Sequence, residues 1–187
     1  SLSSQKPVTE LVIPRAVRSM LLACIALVIA VPVAVLVGAV GSRRPGGRFD
    51  TDVSFCTLLL IGLPEFVIAL TLLYVLAVWL DLVPPDSTSV LFASGADAAK
   101  GYLLPALTLA IVLVPYIARM TRISVRDVYV SPYVQSAIVR GVGDSRLYVR
   151  HVLPNALGPA VNVVALSLGE VLVGSVIIEN VFGFPDL

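Results

Sequence analysis

Three carboxylates lie inside or at the edges of long apolar runs: Glu65, Glu170 and Glu179. A carboxylate in hydrocarbon is costly unless it faces a cavity, a partner or a hydrogen bond, so the chemistry open to these groups is the handling of a polar solute along a path. Glu170 lies deepest in its run. For it, path-lining balances evenly against an interhelical hydrogen bond made while protonated. Glu65 follows Pro64, where a freed carbonyl or a subunit contact could hold it, and Glu179 stands at the outer boundary of its run; for each, lining the path is the less favoured reading.

The other reactive types are sparse. Gly141-Val142-Gly143-Asp144 has the form of the Gly-x-Gly-Asp element that supplies one catalytic aspartate in intramembrane proteases. Such an enzyme needs two carboxylates facing one another within membrane helices. Asp144 instead stands among arginines, and Asp127, its nearest candidate partner, lies in the same polar segment, so the protease reading fails. A single histidine, His151, cannot gather a metal cluster, and a structural or coupling role is its simpler reading. Cys24 and Cys56 fall in apolar stretches without metal spacing and read as small packing residues. No Gly-x-x-x-x-Gly-Lys run is present to cradle nucleotide phosphates. The sequence thus offers no catalytic residue, no metal ligand set and no cofactor bound by this chain.

The elements that must hold these residues are membrane helices. Of 187 residues 58% are hydrophobic and 13% charged, and the mean hydropathy is +0.97; an ordinary soluble domain is far less apolar. The net charge of +1 excludes nucleic acid as a partner, which needs a concentrated basic surface. A bilayer core of roughly 30 Å takes about 20 apolar helical residues. Four runs meet or approach this, at about 19–40, 53–80, 102–118 and 156–178, the second interrupted by Pro64-Glu65 and the third holding Pro105 and Pro115. The expected fold is therefore all-α, one polytopic transmembrane bundle over residues 1–187. With Ser1 in place of an initiator Met and an abrupt end at Pro185-Asp186-Leu187, a truncation at both ends is expected.

Arginines set the orientation. Arg43, Arg44 and Arg48 lie between the first two runs, and Arg119, Arg122, Arg126, Arg140, Arg146 and Arg150 between the last two. Cytoplasmic loops carry the Lys and Arg excess, so both segments face the cytoplasm, with the three arginines from Arg119 to Arg126 as anchors at the membrane edge. Asp81 to Gly101, which holds Asp81, Asp86 and Asp97 against Lys100, faces outward.

The segment 119–155 is the one long connection, and its composition is not that of a disordered linker. Tyr133 to Arg140 has the spacing of a short amphipathic helix, with Pro132 suited to the first turn. Gly141-Val142-Gly143 breaks it. Asp144-Ser145 is then expected to cap a second short helix, Arg146 to Val152, which Leu153-Pro154 closes before the chain re-enters the membrane. Two short helices at a tight bend make a knob suited to a groove on a partner.

Gln135-Ser136-Ala137, Gly141, His151 and Leu153-Pro154 match the spacing of the EAA motif, so the segment resembles the coupling loop in membrane subunits of bacterial binding-protein-dependent ABC importers. Ala137, Gly141, Leu153 and Pro154 agree with that motif, while Gln135, Ser136 and His151 replace its Glu, Ala and Ile. Tyr116 to Arg122, His151 to Leu157 and Ile178 to Phe182 resemble the B-type subunit of the dipeptide, oligopeptide and nickel branch. Pro185-Asp186 stands where that branch has Pro-Gly. The resemblance runs from Ser19 onward.

This resemblance implies a permease domain of an ATP-driven importer in the bacterial inner membrane, lacking here the first and last membrane helices of its relatives. It implies two ABC ATPase subunits that bind ATP and Mg, contacted through Gln135, Ser136, Ala137, Gly141, Asp144, His151, Leu153 and Pro154. It also implies a homologous permease subunit in a heterodimer, an extracytoplasmic substrate-binding protein and a lipid bilayer. Peptides are the expected cargo. Nickel complexes or other small solutes stay open, as does a channel or scaffold that is not ATP-driven.

Overall fold

The computed structural model describes residues 8–43, 46–82 and 96–181, and among these every regular element is helical. Helix α1 runs Val8–Ser42 and α2 Arg48–Gly62. Helix α3, Glu65–Leu72, continues as a π-helical stretch over Leu73–Trp79. Helix α4 spans Ala96–Tyr129, α5 Pro132–Val139 and α6 Asp144–Leu147. A second π-helical stretch, Tyr148–Val152, leads directly into α7, Leu153–Val181. Three stretches are long and apolar enough to cross a membrane, Ala16–Ser42, Tyr102–Tyr129 and Asp144–Val171, and the broken pair α2–α3 makes a fourth if it counts as one span. The all-α class follows.

Several boundaries depart from the sequence expectation. The second run is broken where Leu63 and Pro64 are both extended, because Pro64 lacks the amide that would continue the helix and disfavours helical geometry in the residue before it. The third helix does not stop near Ala118 but continues to Tyr129, so Arg119, Arg122 and Arg126 stand on a helix rather than in a loop. Pro154 does not close a separate short helix, since α7 starts at Leu153 without a gap. A proline inside a helix clashes with the carbonyl four residues back, and the π-helical widening immediately before Pro154 relieves that crowding. Cys24 and Cys56 are exposed, not packed. Arg44, Pro84, Pro85, Asp86 and the Pro185-Asp186 turn lie outside the described residues, as do the side chains of Asp97, Lys100 and Glu179.

Contacts divide the chain into two compact units. One comprises Ser1–Ile29, Pro64–Ile111 and Leu168–Leu187, the other Ala30–Leu63 and Val112–Ser167. The first buries Leu22, Ile68, Ala69, Leu104, Leu109 and Val171. The second is built on small residues of α1, with Ala30, Ala34 and Ala39 all buried. At Gly38 the helices are in backbone contact: an added Cβ would stand 2.5 Å from the Ala118 carbonyl oxygen and 2.8 Å from Thr121 Cβ. Small residues at such crossings let membrane helices approach closely, since packing rather than water exclusion must hold them together.

Candidate functional site

The knob lies wholly in the second unit and begins at the end of α4. Ser131 caps α5, its hydroxyl accepting from the Val134 amide at 3.5 Å, and Pro132 fills the first helical turn, where no amide donor is missed. The helix stops in a Schellman turn. The Gly141 amide donates to the Ile138 carbonyl at 2.9 Å and the Val142 amide to the Ala137 carbonyl at 3.2 Å, while Gly141 adopts a φ of +77°. That left-handed backbone is why glycine stands there. Gly143 precedes α6 as its cap without a side-chain bond, and Asp144 occupies the first turn, correcting the expected Asp144-Ser145 cap. A carboxylate in that turn favours the helix dipole.

A small apolar core makes the knob one body. Val125 of α4, Val134 and Ala137 of α5, Leu147, Val152 and Ala156 are all buried together, with Val142 and Leu153 packed against them. The Tyr133 hydroxyl lies 2.6 Å from His151 Nδ1 and staples α5 to the second π-helical stretch. Gln135 donates its side-chain amide to the Tyr129 carbonyl at 3.1 Å, and Ser136 donates to the Pro132 carbonyl at 2.7 Å. Of the positions singled out in the sequence, Gln135, Ser136, Gly141, Asp144 and Pro154 are exposed, His151 and Leu153 are half-buried, and Ala137 is buried in the core. Tyr133, Ile138, Val139 and Val149 add exposed apolar surface. The result is a compact two-helix body with a mixed polar and apolar rim.

A charged collar in the same unit was missed in the sequence. Asp50, in the first turn of α2 ahead of the apolar run that starts at Val53, is only 3% exposed. It accepts from Arg122 Nε at 2.5 Å, from Arg126 Nη2 at 2.6 Å and from the Gly46 amide at 2.9 Å. The Arg122 hydrogen bond holds the Asp50 carboxyl below its ordinary range; burial pushes the other way, and the Gly46 amide and both arginine charges add to the lowering. Two of the three arginines read as membrane-edge anchors are thus also ion-pair partners. The signal available was a pair of aspartates, Asp50 and Asp52, just ahead of an apolar run, opposite a surplus of arginine. Tyr148 was missed too: its hydroxyl donates to the Ala39 carbonyl of α1, and its ring carries the Arg43 guanidinium at 5.8 Å.

The carboxylates belong to the first unit. Glu65 is half-buried in the first turn of α3, and its carboxylate fills the space beside Gly174, where an added Cβ would meet Oε2 at 2.7 Å. That oxygen is buried and has no hydrogen-bond partner among the described residues. Glu170, one turn before Gly174, is exposed. Glu179 lies on α7 with its side chain undescribed.

Three helical stretches are long and apolar enough to cross a membrane, and the knob joins two of them. The chain belongs to the family of binding-protein-dependent transport system inner membrane components, whose model matches residues 30–187. It is 28% identical over 183 residues to the oligopeptide transport system permease protein AppB of Bacillus subtilis (strain 168), covering 97% of this chain and 58% of that protein. It is 30% identical over 190 residues to the glutathione transport system permease protein GsiC of Escherichia coli (strain K12), covering 100% of this chain and 58% of that protein. The chain therefore spans little more than half the length of the relatives it matches.

Proposed function

We propose that this chain forms the membrane-spanning part of a permease subunit that imports di- or oligopeptides across the bacterial inner membrane, driven by a separate ATPase that grips the loop 135–154. The observation that carries the reading is the knob, a preformed body with its own core and an exposed rim at the motif positions Gln135, Ser136 and Gly141. A rigid body can transmit a push to the helices it joins, where a loose loop would absorb it. Two ATPase subunits hold ATP and Mg. A homologous permease subunit completes the pathway, and an extracytoplasmic binding protein delivers the cargo. ATP-driven closure then moves the knob and tilts the membrane helices between inward and outward access.

Peptide is placed ahead of nickel or another small solute because the relatives' names carry oligopeptide and glutathione transport. The test is co-purification of the full permease with its ATPase. Binding through 135–154, with hydrolysis stimulated by a peptide-loaded binding protein, supports the importer. Stimulation by a nickel-loaded binding protein alone moves the cargo assignment, and the absence of any bound ATPase favours the channel or scaffold.

A further inference from the structure

The knob is covalently continuous with α4 on one side and α7 on the other, so any push on it reaches both directly. Helix α1 has no such link. It ends at Ser42, more than 80 residues before the knob begins. Yet the last turn of α1 is tied to the knob side chain by side chain. The Tyr148 hydroxyl donates to the Ala39 carbonyl and lies 3.2 Å from Ser42 Oγ, which itself donates to the same carbonyl at 2.9 Å. Arg43, just past the helix end, stacks on the Tyr148 ring and reaches Ser145 Oγ at 3.4 Å.

The chemistry explains why a tyrosine serves here. The last four carbonyls of a helix have no partner within it, and the Ala39 carbonyl is one of them, in a residue only 7% exposed. A carbonyl has two lone pairs; Ser42 Oγ, within α1, takes one of them, and Tyr148 adds a second donor that comes from outside the helix. The ring offers a flat negative face to Arg43 at the same time. Tyr148 is also the first residue of the π-helical stretch before Pro154, and such stretches inside helices are frequent at functional sites.

We propose that Tyr148 is a positioning residue that caps α1 from the knob and so makes α1 move with the knob during transport. This rests on the coupling role proposed above. Tyr148 need not touch the ATPase or the cargo. It acts through α1.

The test uses the full permease assembled with its partner subunit, ATPases and binding protein in liposomes. Spin labels at Val40 on α1 and Val139 on α5, both exposed, report the α1-to-knob distance with and without ATP. In the otherwise unaltered protein that distance is expected to stay constant through the cycle. In Tyr148→Phe, which keeps the ring but loses the donor, it is expected to vary with nucleotide, and peptide imported per ATP hydrolysed is expected to fall about three- to tenfold, as one hydrogen bond of ordinary strength would produce. Ser42→Ala, which keeps Tyr148, is expected to shift both readouts the same way by less. A distance that already changes with ATP in the unaltered protein overturns the inference even if Tyr148→Phe fails to assemble, and so does an unchanged import ratio in an assembled Tyr148→Phe. An ATPase that never binds the unaltered permease overturns the importer reading and this inference with it, whereas an ATPase that binds while the α1 distance varies overturns this inference alone.

Discussion

Gln135 near the start of α5 and Gly141 just past its end answer different needs. At Gly141 the need is conformational, since the Schellman turn demands a φ of +77° and no atom lies within 4 Å of an added Cβ. Space is free there but geometry is not. Gly141→Asn should therefore keep the knob, because Asn tolerates left-handed backbone, whereas Gly141→Val should lose about 1–2 kcal/mol or more from the turn. Limited proteolysis at 139–144 reads the difference, and ATPase binding should follow it; equal protease resistance of the two variants would remove the turn from the argument. At Gln135 the need is a donor, because its amide holds the Tyr129 carbonyl at the end of α4. A carboxylate cannot donate when ionised, and a negative charge beside a helix C-terminus is unfavourable. Gln135→Glu, which restores the residue usual in the EAA motif, should thus weaken this junction by about 0.5–1 kcal/mol and speed proteolysis at 129–131, with no change at 139–144. A gain in protection would show that the amide is incidental.

Between elements, two contacts set how α1, α2 and α4 meet in the second unit. At Gly38 the crossing leaves no room for a methyl group, while at Gly41 an added Cβ would touch only Val53 at 3.5 Å. Gly38→Ala should lower the yield of folded permease and its melting temperature, and Gly41→Ala should not; parity between them in a thermal-shift assay would refute the close approach. The Asp50 collar is the second contact. Removing its charge leaves Arg122 and Arg126 facing each other, with Arg122 19% and Arg126 41% exposed, so the loss in Asp50→Asn is put at about 1–3 kcal/mol, below that of a fully buried pair. Because the folded carboxyl lies below its ordinary value of about 3.9, the stabilisation is complete above that pH and is lost as pH falls through the lower folded value. The difference in melting temperature between Asp50→Asn and the unaltered protein should therefore be constant near neutrality and shrink in acid. Part of this level was legible in the sequence: apolar runs marked the long helices α1, α4 and α7, and Pro132 and Gly141 delimited α5. What was not legible depended on partners far along the chain. Arg119 to Arg126 looked like loop because charge marks membrane edges, yet a helix can carry arginines past that edge when Asp50 pairs two of them. Pro154 looked like a stop because nothing local announces that a π-helical stretch will absorb it.

For the molecule as a whole, the open issue is which exposed surface meets lipid and which meets a partner or an aqueous path. Of the three membrane-length spans, Tyr102–Tyr129 is the most enclosed and Asp144–Val171 the least. Exposure on α7 is not purely apolar: Leu166 and Val173 are exposed, but so are Asn162 and Glu170. On α1, by contrast, the strongly exposed side chains include Val28 and Leu36, as lipid requires. A polar or ionisable group within a span faces protein or water far more often than hydrocarbon, so in the importer proposed here the expected path passes Asn162 and Glu170 of α7. The prediction is made in a background with Cys24 and Cys56 replaced by alanine, since both native thiols are exposed and would report on their own. In the assembled complex Asn162→Cys and Glu170→Cys should react with a membrane-impermeant thiol reagent at rates that change on ATP addition, while Val28→Cys should stay unreactive throughout. If all three are equally protected in every nucleotide state, α7 is sealed against a partner or lipid and the path runs elsewhere; if Val28→Cys reacts as fast as the others, α1 does not face lipid. Glu170→Gln separates the two roles weighed for that carboxylate, because a protonated hydrogen-bonding group is well imitated by an amide and a charged path residue is not. Retained import would assign Glu170 to the hydrogen bond, and import lost with ATPase stimulation intact would assign it to the path.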